Sequence, residues 1–505
     1  MNIKEAKQEI IHTVQAYLRR DETGMPEIPH VKQRPILLIG PPGIGKTAIM
    51  EQIANELQIN LVSYTITHHT RQSAIGLPFI EKKDFDGQTY SVTEYTMSEI
   101  IASVYEQIER TGIREGILFL DEINCVSETL APTMLQFLQY KTFGAHKVPE
   151  GFVIVTAGNP PQYNKSVRDF DIVTLDRLKR IYITEDYEVW REYAYTAGIH
   201  GAVMAYLAIR KEHFYSIRQE LEEKSFVTAR GWEDLSGILT VYEKMGVPVT
   251  EEVVRQYLQD YEIAKSFASY YQLYKKYSEV YRIPDILQGY IPEDRQPLKQ
   301  APFDEKLSLI GLLTDALNQG FGSCADELAV QSALFAQLKD LRAELKESGG
   351  FVSGILQERG QRLQADLLRQ TAAGHSDRRE ERRQRMVIKR MDELIEAAGT
   401  PGVYADDEYV YRRVQTAFAV WEEERMRQVE ETDAQLTNVF RFLAEVYGEG
   451  QEMLLFLSEL TSSARCTQFI EEYGNEAFSR YNRLLLLKDR TARLQDQVRQ
   501  MMKLQ

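Results

Sequence analysis

The stretch "ILLIGPPGIGKT", residues 36–47, sets the fold that we predict for this chain. Its four apolar residues predict a buried β-strand, and the glycine-rich loop "GPPGIGKT" (40–47) follows them directly. The loop matches the pattern G-x-x-x-x-G-K-[ST], in which glycines let the backbone wrap a phosphate and helix N-terminal N–H groups attract its oxygens. A helix predicted from about Lys46 to Leu57 completes the strand–loop–helix arrangement that this pattern requires.

The residues of the loop have separate predicted tasks. Lys46 can reach the β- and γ-phosphates of a nucleoside triphosphate, and the Thr47 hydroxyl can ligate magnesium. We therefore predict a site for ATP and Mg²⁺. The predicted nucleotide contacts in this segment are Gly40, Pro41, Pro42, Gly43, Ile44, Gly45, Lys46, Thr47 and Ala48.

Further apolar segments predict the rest of a sheet. Strands are expected at 59–66, 116–121, 152–158 and 180–183, and helical stretches separate most of them. Apolar strands that alternate with helices are typical of a parallel sheet covered on both faces. The predicted fold is an α/β P-loop NTPase core with a helical lid, followed by a mostly α-helical C-terminal region.

The segment "GILFLDEIN" (116–124) supplies a second chemical signal. Asp121 ends an apolar strand, where its carboxylate can hold magnesium, and Glu122 can orient or deprotonate an attacking water. A helix N-cap is the ordinary alternative for such an acidic pair. After a phosphate loop we favour the catalytic interpretation, which indicates a hydrolytic motor rather than a small-molecule kinase.

Two later polar positions are weaker signals on their own. Asn159 directly follows the predicted strand 152–158. In a parallel sheet it would lie beside the Asp-Glu pair, where it can hold the attacking water or the γ-phosphate. Asn-Pro is also a frequent turn opener. Arg177, in "LDRLKR" (175–180), is either a charge near a helix end or an arginine finger that reaches a neighbouring subunit's ATP.

Composition narrows the class of protein. The chain has 505 residues and a net charge of −15, which argues against a dedicated nucleic-acid binder. The three cysteines, Cys125, Cys324 and Cys466, lie far apart, so we expect neither a disulfide framework nor a zinc site. Residues 1–20 predict an amphipathic helix rather than a signal peptide. We expect a cytoplasmic protein with no membrane span.

The predicted organisation has four parts. They are the core with its N-terminal helix (1–185), a helical lid (186–285), a Pro-rich linker (286–302) and a helical C-terminal region (303–505). In the last part, residues from 484 to 501 that are mostly apolar recur at alternating spacings of three and four positions, as on one face of a helix. We interpret this face as packed inside the chain's own helical bundle. The basic cluster at 378–390 contains interleaved glutamates, which favours a helical surface over a nucleic-acid contact.

The order of phosphate loop, Asp-Glu pair, Asn159 and "DRL" resembles an AAA+ ATPase. Two expected hairpins make the resemblance narrower: "PFIEKKDFDGQTYSV" (78–92), which turns at Asp86-Gly87, and "KTFGAHKVPEG" (141–151). They lie where the helix-2-insert clade carries its insertion and its pre-sensor hairpin. The segment "AGNPPQYNKSVRDFDIVTLDRLKRIYI" is similar to the MoxR and dynein-related branch, and the resemblance covers about residues 1–285.

The resemblance implies further roles for particular residues. Asn159 matches sensor 1 and Arg177 matches the arginine finger, with Arg180 as the alternative because Leu178 stands where the family often has Phe. Arg230, in "SFVTARGWEDLS" (225–236), matches the arginine of sensor 2; without the preceding motifs it is an exposed helix charge.

The resemblance also implies a ring, usually a hexamer, with ATP between protomers. MoxR-like ATPases resemble protein-remodelling chaperones and commonly work with a partner that carries a von Willebrand factor A domain. Remodelling or activation of a protein client is therefore the expected function. A nucleic-acid motor and a non-catalytic ATP-dependent scaffold are the alternatives.

Overall fold

The computed structural model describes residues 1–68, 76–143, 146–163, 170–219, 224–339, 341, 352–373, 378–398 and 407–483. The chain divides into two compact units, Met1–Val189 with Arg362–Arg382 and Trp190–Gln361 with Arg383–Gln505. Within the described ranges, no helix combines the length and apolar character needed to cross a membrane.

A parallel sheet forms the centre of the first unit. The strands of this unit are β1 (Ile36–Ile39), β2 (Asn60–Thr65), β3 (Pro78–Phe85), β4 (Gln88–Tyr95), β5 (Gly116–Asp121), β6 (Thr142–Phe143), β7 (His146–Lys147), β8 (Phe152–Gly158) and β9 (Lys179–Tyr182). Five of them pair in parallel in the order β2-β5-β8-β1-β9. This arrangement confirms the predicted P-loop NTPase core. The bounds of each of these five strands lie within one residue of the predicted bounds.

Helices cover both faces of this sheet because successive residues of its apolar strands point to opposite sides. The helices are α1 (Ile3–Leu18), α2 (Lys46–Leu57), α3 (Glu99–Thr111), α4 (Ala131–Tyr140) and α5 (Ile172–Leu175). On one face Leu118 packs in a cluster with Phe137 of α4. On the other face its neighbour Phe119 packs in a cluster with Ile53 of α2.

The N-terminal helix α1 begins and docks through specific contacts. Asn2 and Glu5 form a reciprocal capping box at its start. The Lys179 ammonium, on β9, donates to Glu9 Oε1 and Thr13 Oγ1, each over 2.6 Å. The amphipathic helix predicted for residues 1–20 is therefore confirmed, and its contacts reach the edge strand of the sheet.

Both predicted hairpins are present. β3 and β4 pair antiparallel across Asp86 and Gly87, whose φ angles of 52° and 78° suit a tight two-residue turn. The second strand continues to Tyr95, three residues past the predicted end. β6 and β7 also pair antiparallel, and the two residues that join them lie outside the described part of the chain.

After β9 the described chain is mainly helical, which confirms the predicted helical C-terminal region. Its elements are α6 (Tyr187–Ala197), α7 (Gly201–Ile209), β10 (Ser216–Gln219), β11 (Lys224–Val227), α8 (Ala229–Met245), α9 (Glu251–Tyr257), α10 (Tyr261–Val280), α11 (Ile283–Leu287), α12 (Gln296–Gln300), α13 (Phe303–Leu338), α14 (Val352–Ala373), α15 (Arg378–Ala398), α16 (Asp407–Tyr447), α17 (Gln451–Ser462) and α18 (Ala464–Tyr473). The apolar stepping at 484–501 falls outside the described residues.

Two features of this region differ from the expectation. β10 and β11 form an antiparallel hairpin inside the stretch predicted to be helical throughout, because "SIRQ" and "KSFV" satisfy their backbone groups by pairing with each other. The stretch predicted as a linker (286–302) contains the short helix α12 and the last two residues of α11, and each of these helices has a proline in its first turn. The predicted domain boundaries themselves stay a prediction.

The second unit has an aromatic core. Tyr206, Trp232 and Phe267 are fully buried and pack with ring centroids 5.2–5.7 Å apart. Tyr270 and Tyr271 are buried with them. Tyr270 and Tyr271 thus belong to the core of this unit.

Candidate nucleotide-binding site

The candidate site lies at the carboxyl edge of the parallel sheet. The register places Asp121 opposite Thr65, and Gly158 opposite Ile39. The strand ends that carry the loop, the acidic pair and Asn159 therefore lie side by side. Ligands of open α/β sheets bind outside the carboxyl ends of the strands.

The loop between β1 and α2 depends on its glycines. Gly43 and Gly45 have φ angles of 71° and 93°, a left-handed conformation that strains other residues. A Cβ on Gly40 would lie 2.9 Å from the Ile183 carbonyl oxygen, so a side chain there would push the loop away from the sheet. Helix α2 begins at Lys46, and its first N–H groups have no partners within the helix. This geometry suits a bound phosphate.

The Lys46 side chain is folded into the loop. Lys46 is only 8% exposed, and its Nζ donates to the carbonyl oxygens of Gly40 and Pro41 over 2.8 and 2.7 Å. It also donates to Asn159 Oδ1 over 2.9 Å. A buried ammonium needs such acceptors because leaving it unpaired is costly. The structure thus joins Lys46 and Asn159, which are 113 positions apart in the sequence.

Thr47 and Asp121 form the oxygen pair expected of a magnesium site. Thr47 Oγ1 donates to Asp121 Oδ2 over 3.1 Å, and Asp121 Oδ1 accepts from the Glu122 N–H over 2.9 Å. Hydroxyl and carboxylate oxygens are ligands that Mg²⁺ favours in phosphate sites. The donor set fits the metal predicted from the sequence.

Glu122 has a strained backbone. Its φ and ψ of 57° and 35° are left-handed, which costs a non-glycine residue on the order of 1 kcal/mol. Its Oε2 accepts a hydrogen bond from Thr67 Oγ1 over 3.0 Å, just beyond the end of β2. Thr67 was not predicted from the sequence. The hydrogen bond directs the Glu122 carboxylate toward the residues that follow β2.

Asn124 is a second residue that the sequence did not reveal. It is 7% exposed, and its Nδ2 donates to the Asn159 carbonyl oxygen over 2.8 Å. The available signal was a polar residue three positions after Asp121 in an otherwise apolar turn, "INCV". Such an asparagine is indistinguishable from an ordinary turn residue until β5 and β8 are known to be neighbours.

Cys125 follows the acidic pair in the sequence and is affected by its charge. Burial raises the pKa of the Cys125 thiol, and the Glu122 and Asp121 carboxylates raise it further. The thiol therefore stays protonated at neutral pH and is a poor nucleophile.

The three predicted arginines are all exposed. Arg177 is exposed, and its Nη1 donates to Gln139 of α4. Arg180 is exposed on β9, so both remain candidates for a finger. Arg230 belongs to the second unit, where it is exposed at the start of α8 beside the N-cap Thr228. The predicted role of each arginine stays a prediction.

Comparison with known proteins agrees with this geometry. Residues 36–177 match the model of the ATPase family associated with various cellular activities (AAA). A search of curated proteins found no match. The matched span includes the loop, the acidic pair, Asn159 and Arg177, and it supports an AAA+ ATPase with nucleotide binding and ATPase activity in general. Proteins of this family generally form ring oligomers.

Proposed function

We propose that this chain hydrolyses ATP in a ring of the MoxR and dynein-related type and uses the energy to remodel or activate a protein client. The observation that carries the proposal is the convergence of five side chains at one sheet edge, those of Lys46, Thr47, Asp121, Glu122 and Asn159. They come from two neighbouring strand ends, those of β5 and β8, and from the first turn of α2.

The hydrolytic step assigns a task to each group. A water attacks the γ-phosphorus, a new oxygen–phosphorus bond forms, and the bond to the β,γ-bridging oxygen breaks to release ADP. Glu122 accepts the proton of the water, and Thr67 keeps its carboxylate directed. Asn159 orients the water or the γ-phosphate, while Lys46 contacts the β- and γ-phosphates.

Magnesium fits the same edge. Thr47 Oγ1 and the Asp121 carboxylate would hold Mg²⁺, Asp121 directly or through water. The bound ion supplies positive charge that offsets the negative charge of the phosphates. The Glu122 N–H fixes Asp121 Oδ1 and leaves Oδ2 directed at Thr47.

Assembly into a ring, with a hexamer as the expected size, would complete the site. An exposed arginine from a neighbouring subunit, Arg177 or else Arg180, would stabilise charge in the transition state, and Arg230 would contribute from the lid. We propose a cytoplasmic location, whose reducing conditions keep Cys125, Cys324 and Cys466 out of disulfides.

The client part of the proposal rests on the motif order and the two hairpins rather than on a described contact. The helical region 303–505 would dock the client or a partner with a von Willebrand factor A domain. A nucleic-acid motor is less well supported, because Arg383 and Arg390 of the basic cluster pair with Asp326 and Glu327 of α13.

The test uses the full chain with Glu122→Gln as a trap. The variant is purified from its native host with ATP and Mg²⁺, and bound molecules are identified by mass spectrometry, with Lys46→Ala as the control. A stoichiometric protein retained by Glu122→Gln and lost in Lys46→Ala supports the client proposal. Nuclease-sensitive nucleic acid without a protein partner would overturn it.

The finger is tested by ATP turnover of Arg177→Ala and Arg180→Ala. We expect Arg177→Ala to bind ATP but to turn it over about a thousandfold more slowly. Normal turnover in Arg177→Ala and loss in Arg180→Ala would move the assignment to Arg180.

A further inference from the structure

Asn124 occupies a buried position between the acidic pair and Asn159. It lies in the short helical turn Ile123–Cys125 that follows β5 and Glu122. Its side-chain amide crosses to the neighbouring strand end and donates to the Asn159 carbonyl oxygen over 2.8 Å. The contact therefore links the turn after the acidic pair to the end of β8.

The sequence of β8 makes room for this carboxamide. A Cβ on Gly158 would lie 2.5 Å from Asn124 Oδ1 and 2.7 Å from its Cγ. No side chain fits at Gly158 while Asn124 holds this position. The last residue of β8 is thus a glycine because a neighbouring side chain fills the space.

The acceptor of this hydrogen bond lies at a restrained point of the backbone. Pro160 follows Asn159, and a proline limits the preceding residue to extended conformations. The Asn124 amide holds the carbonyl of the same residue. With the backbone fixed from both sides, the Asn159 side chain is directed at Lys46, whose Nζ donates to Asn159 Oδ1 over 2.9 Å.

We infer that Asn124 is a positioning residue for ATP hydrolysis, which acts by holding Asn159 in its working orientation. The inference rests on the proposed role of Asn159. In this role Asn124 acts through the Asn159 carbonyl group and does not need to contact the reacting atoms. A displacement of a reacting group by about 1 Å is enough to slow an enzyme greatly.

The chain offers a matched control in Asn60. This residue is fully buried at the start of β2, the opposite end of the strand from the site, and its Nδ2 donates to the Ile113 carbonyl oxygen over 2.7 Å. Asn60→Ala and Asn124→Ala each remove a buried amide that donates to a main-chain carbonyl. The two variants therefore separate lost stability from lost positioning.

The first measurement compares kcat, the Kd for ATP and thermal stability in the full chain. We expect Asn124→Ala to lower kcat about tenfold while its Kd changes less than about twofold. Asn60→Ala should lower the unfolding temperature but leave kcat near wild type. Equal kcat in Asn124→Ala and wild type, or an equal fall of kcat in both variants, would overturn the inference. If Asn124→Ala does not fold, Asn124→Asp replaces it in the same measurements, because it keeps the side-chain shape but loses the hydrogen-bond donor.

The second measurement is a double-mutant cycle with Asn159→Ala. If Asn124 acts through Asn159, Asn124→Ala should have little further effect on kcat once the Asn159 side chain is absent. Multiplicative effects would overturn the inference. Normal kcat in Asn159→Ala alone would instead refute the proposed role of Asn159, so the two failures are distinguishable.

Gly158→Ala tests the same contact from the other side. Its methyl group should displace the Asn124 carboxamide and lower kcat as Asn124→Ala does, and the double variant should be no slower than Gly158→Ala alone. A normal kcat in Gly158→Ala would contradict the inference.

Discussion

Two buried lysines of the first unit invite comparison. Lys46, in the phosphate loop, is 8% exposed, and Lys141, at the base of the β6–β7 hairpin, is 4% exposed. Both donate to main-chain carbonyls, Lys46 to Gly40 and Pro41 and Lys141 to His30. Burial of a cation therefore does not by itself mark a functional site.

The surroundings of the two lysines differ. Lys46 also donates to Asn159, and it lies between left-handed glycines and a helix N-terminus. Lys141 follows α4 as its C-cap in a left-handed conformation. A positive charge at this position is favourable because the C-terminal end of a helix dipole is negative. Burial lowers the pKa of Lys141 to about 8. The comparison suggests that convergence of groups from several strand ends, rather than burial, indicates chemistry.

The sharpest test of this comparison exchanges each lysine for alanine. We expect Lys46→Ala to lose ATP binding by about a hundredfold or more, because the loop then lacks the ammonium that contacts the phosphates. Lys141→Ala should change folding stability and leave ATP affinity near wild type. Calorimetric titration with a non-hydrolysable ATP analogue measures both. Equal losses of affinity would remove the distinction between the two lysines.

A second test concerns the carboxylate at the same edge. Glu122→Gln should retain ATP affinity but lower turnover by about a hundredfold, because the amide cannot accept the proton of the attacking water. Phosphate release at saturating ATP measures turnover. Glu128→Gln, six residues later in an exposed position, is the control and should stay active. Unimpaired turnover in Glu122→Gln would assign proton transfer to another group.

The Thr67 contact predicts a smaller effect. Thr67→Val keeps the shape of the side chain but removes the hydrogen bond to Glu122 Oε2, so turnover should fall about tenfold. Thr65→Val, the same substitution at the end of β2, is the matched control and should have normal turnover. Equal activity of the two variants would show that Thr67 does not direct Glu122.

Lys141 predicts the smallest effect, a dependence of stability on pH. Its pKa of about 8 in the folded chain lies below the ordinary value of 10.5. Below pH 8 both folded and unfolded states hold the proton, and the destabilisation from burying the charge is complete. Between pH 8 and 10.5 the folded state releases the proton first, so stability should rise with pH.

The check compares unfolding temperatures of wild type and Lys141→Met across that range. The advantage of Lys141→Met over wild type should be constant below pH 8 and should shrink toward pH 10.5. A difference that stays constant throughout would mean that Lys141 does not titrate in this window.

Local signals made much of the first unit predictable. The strand–loop–helix segment, the five core strands and the turn at Asp86-Gly87 each follow from residues adjacent in sequence. The pairing of β10 with β11 was missed because four-residue strands leave too short a pattern to distinguish from a helical stretch. The short helix α12 was missed because prolines mark loops and helix starts alike.

The residues missed at the site have a different physical origin. Thr67 and Asn124 contact groups 55 and 35 positions away in the sequence. Neither contact exists until the sheet brings the strand ends together, and both residue types are common in turns. Lys46, Asp121 and Glu122 could be predicted because each belongs to a motif of residues adjacent in the sequence.

The strand order β2-β5-β8-β1-β9 has a consequence for how the chain is made. The Ile36 carbonyl of β1 accepts a hydrogen bond from Thr156 Oγ1, 120 positions later, and both neighbours of β1 come after residue 150. At ribosomal rates this leaves "ILLI" without a sheet partner for on the order of ten seconds. During that time an apolar strand edge is open to other chains. The segment that precedes the phosphate loop is thus synthesised well before the two strands that enclose it.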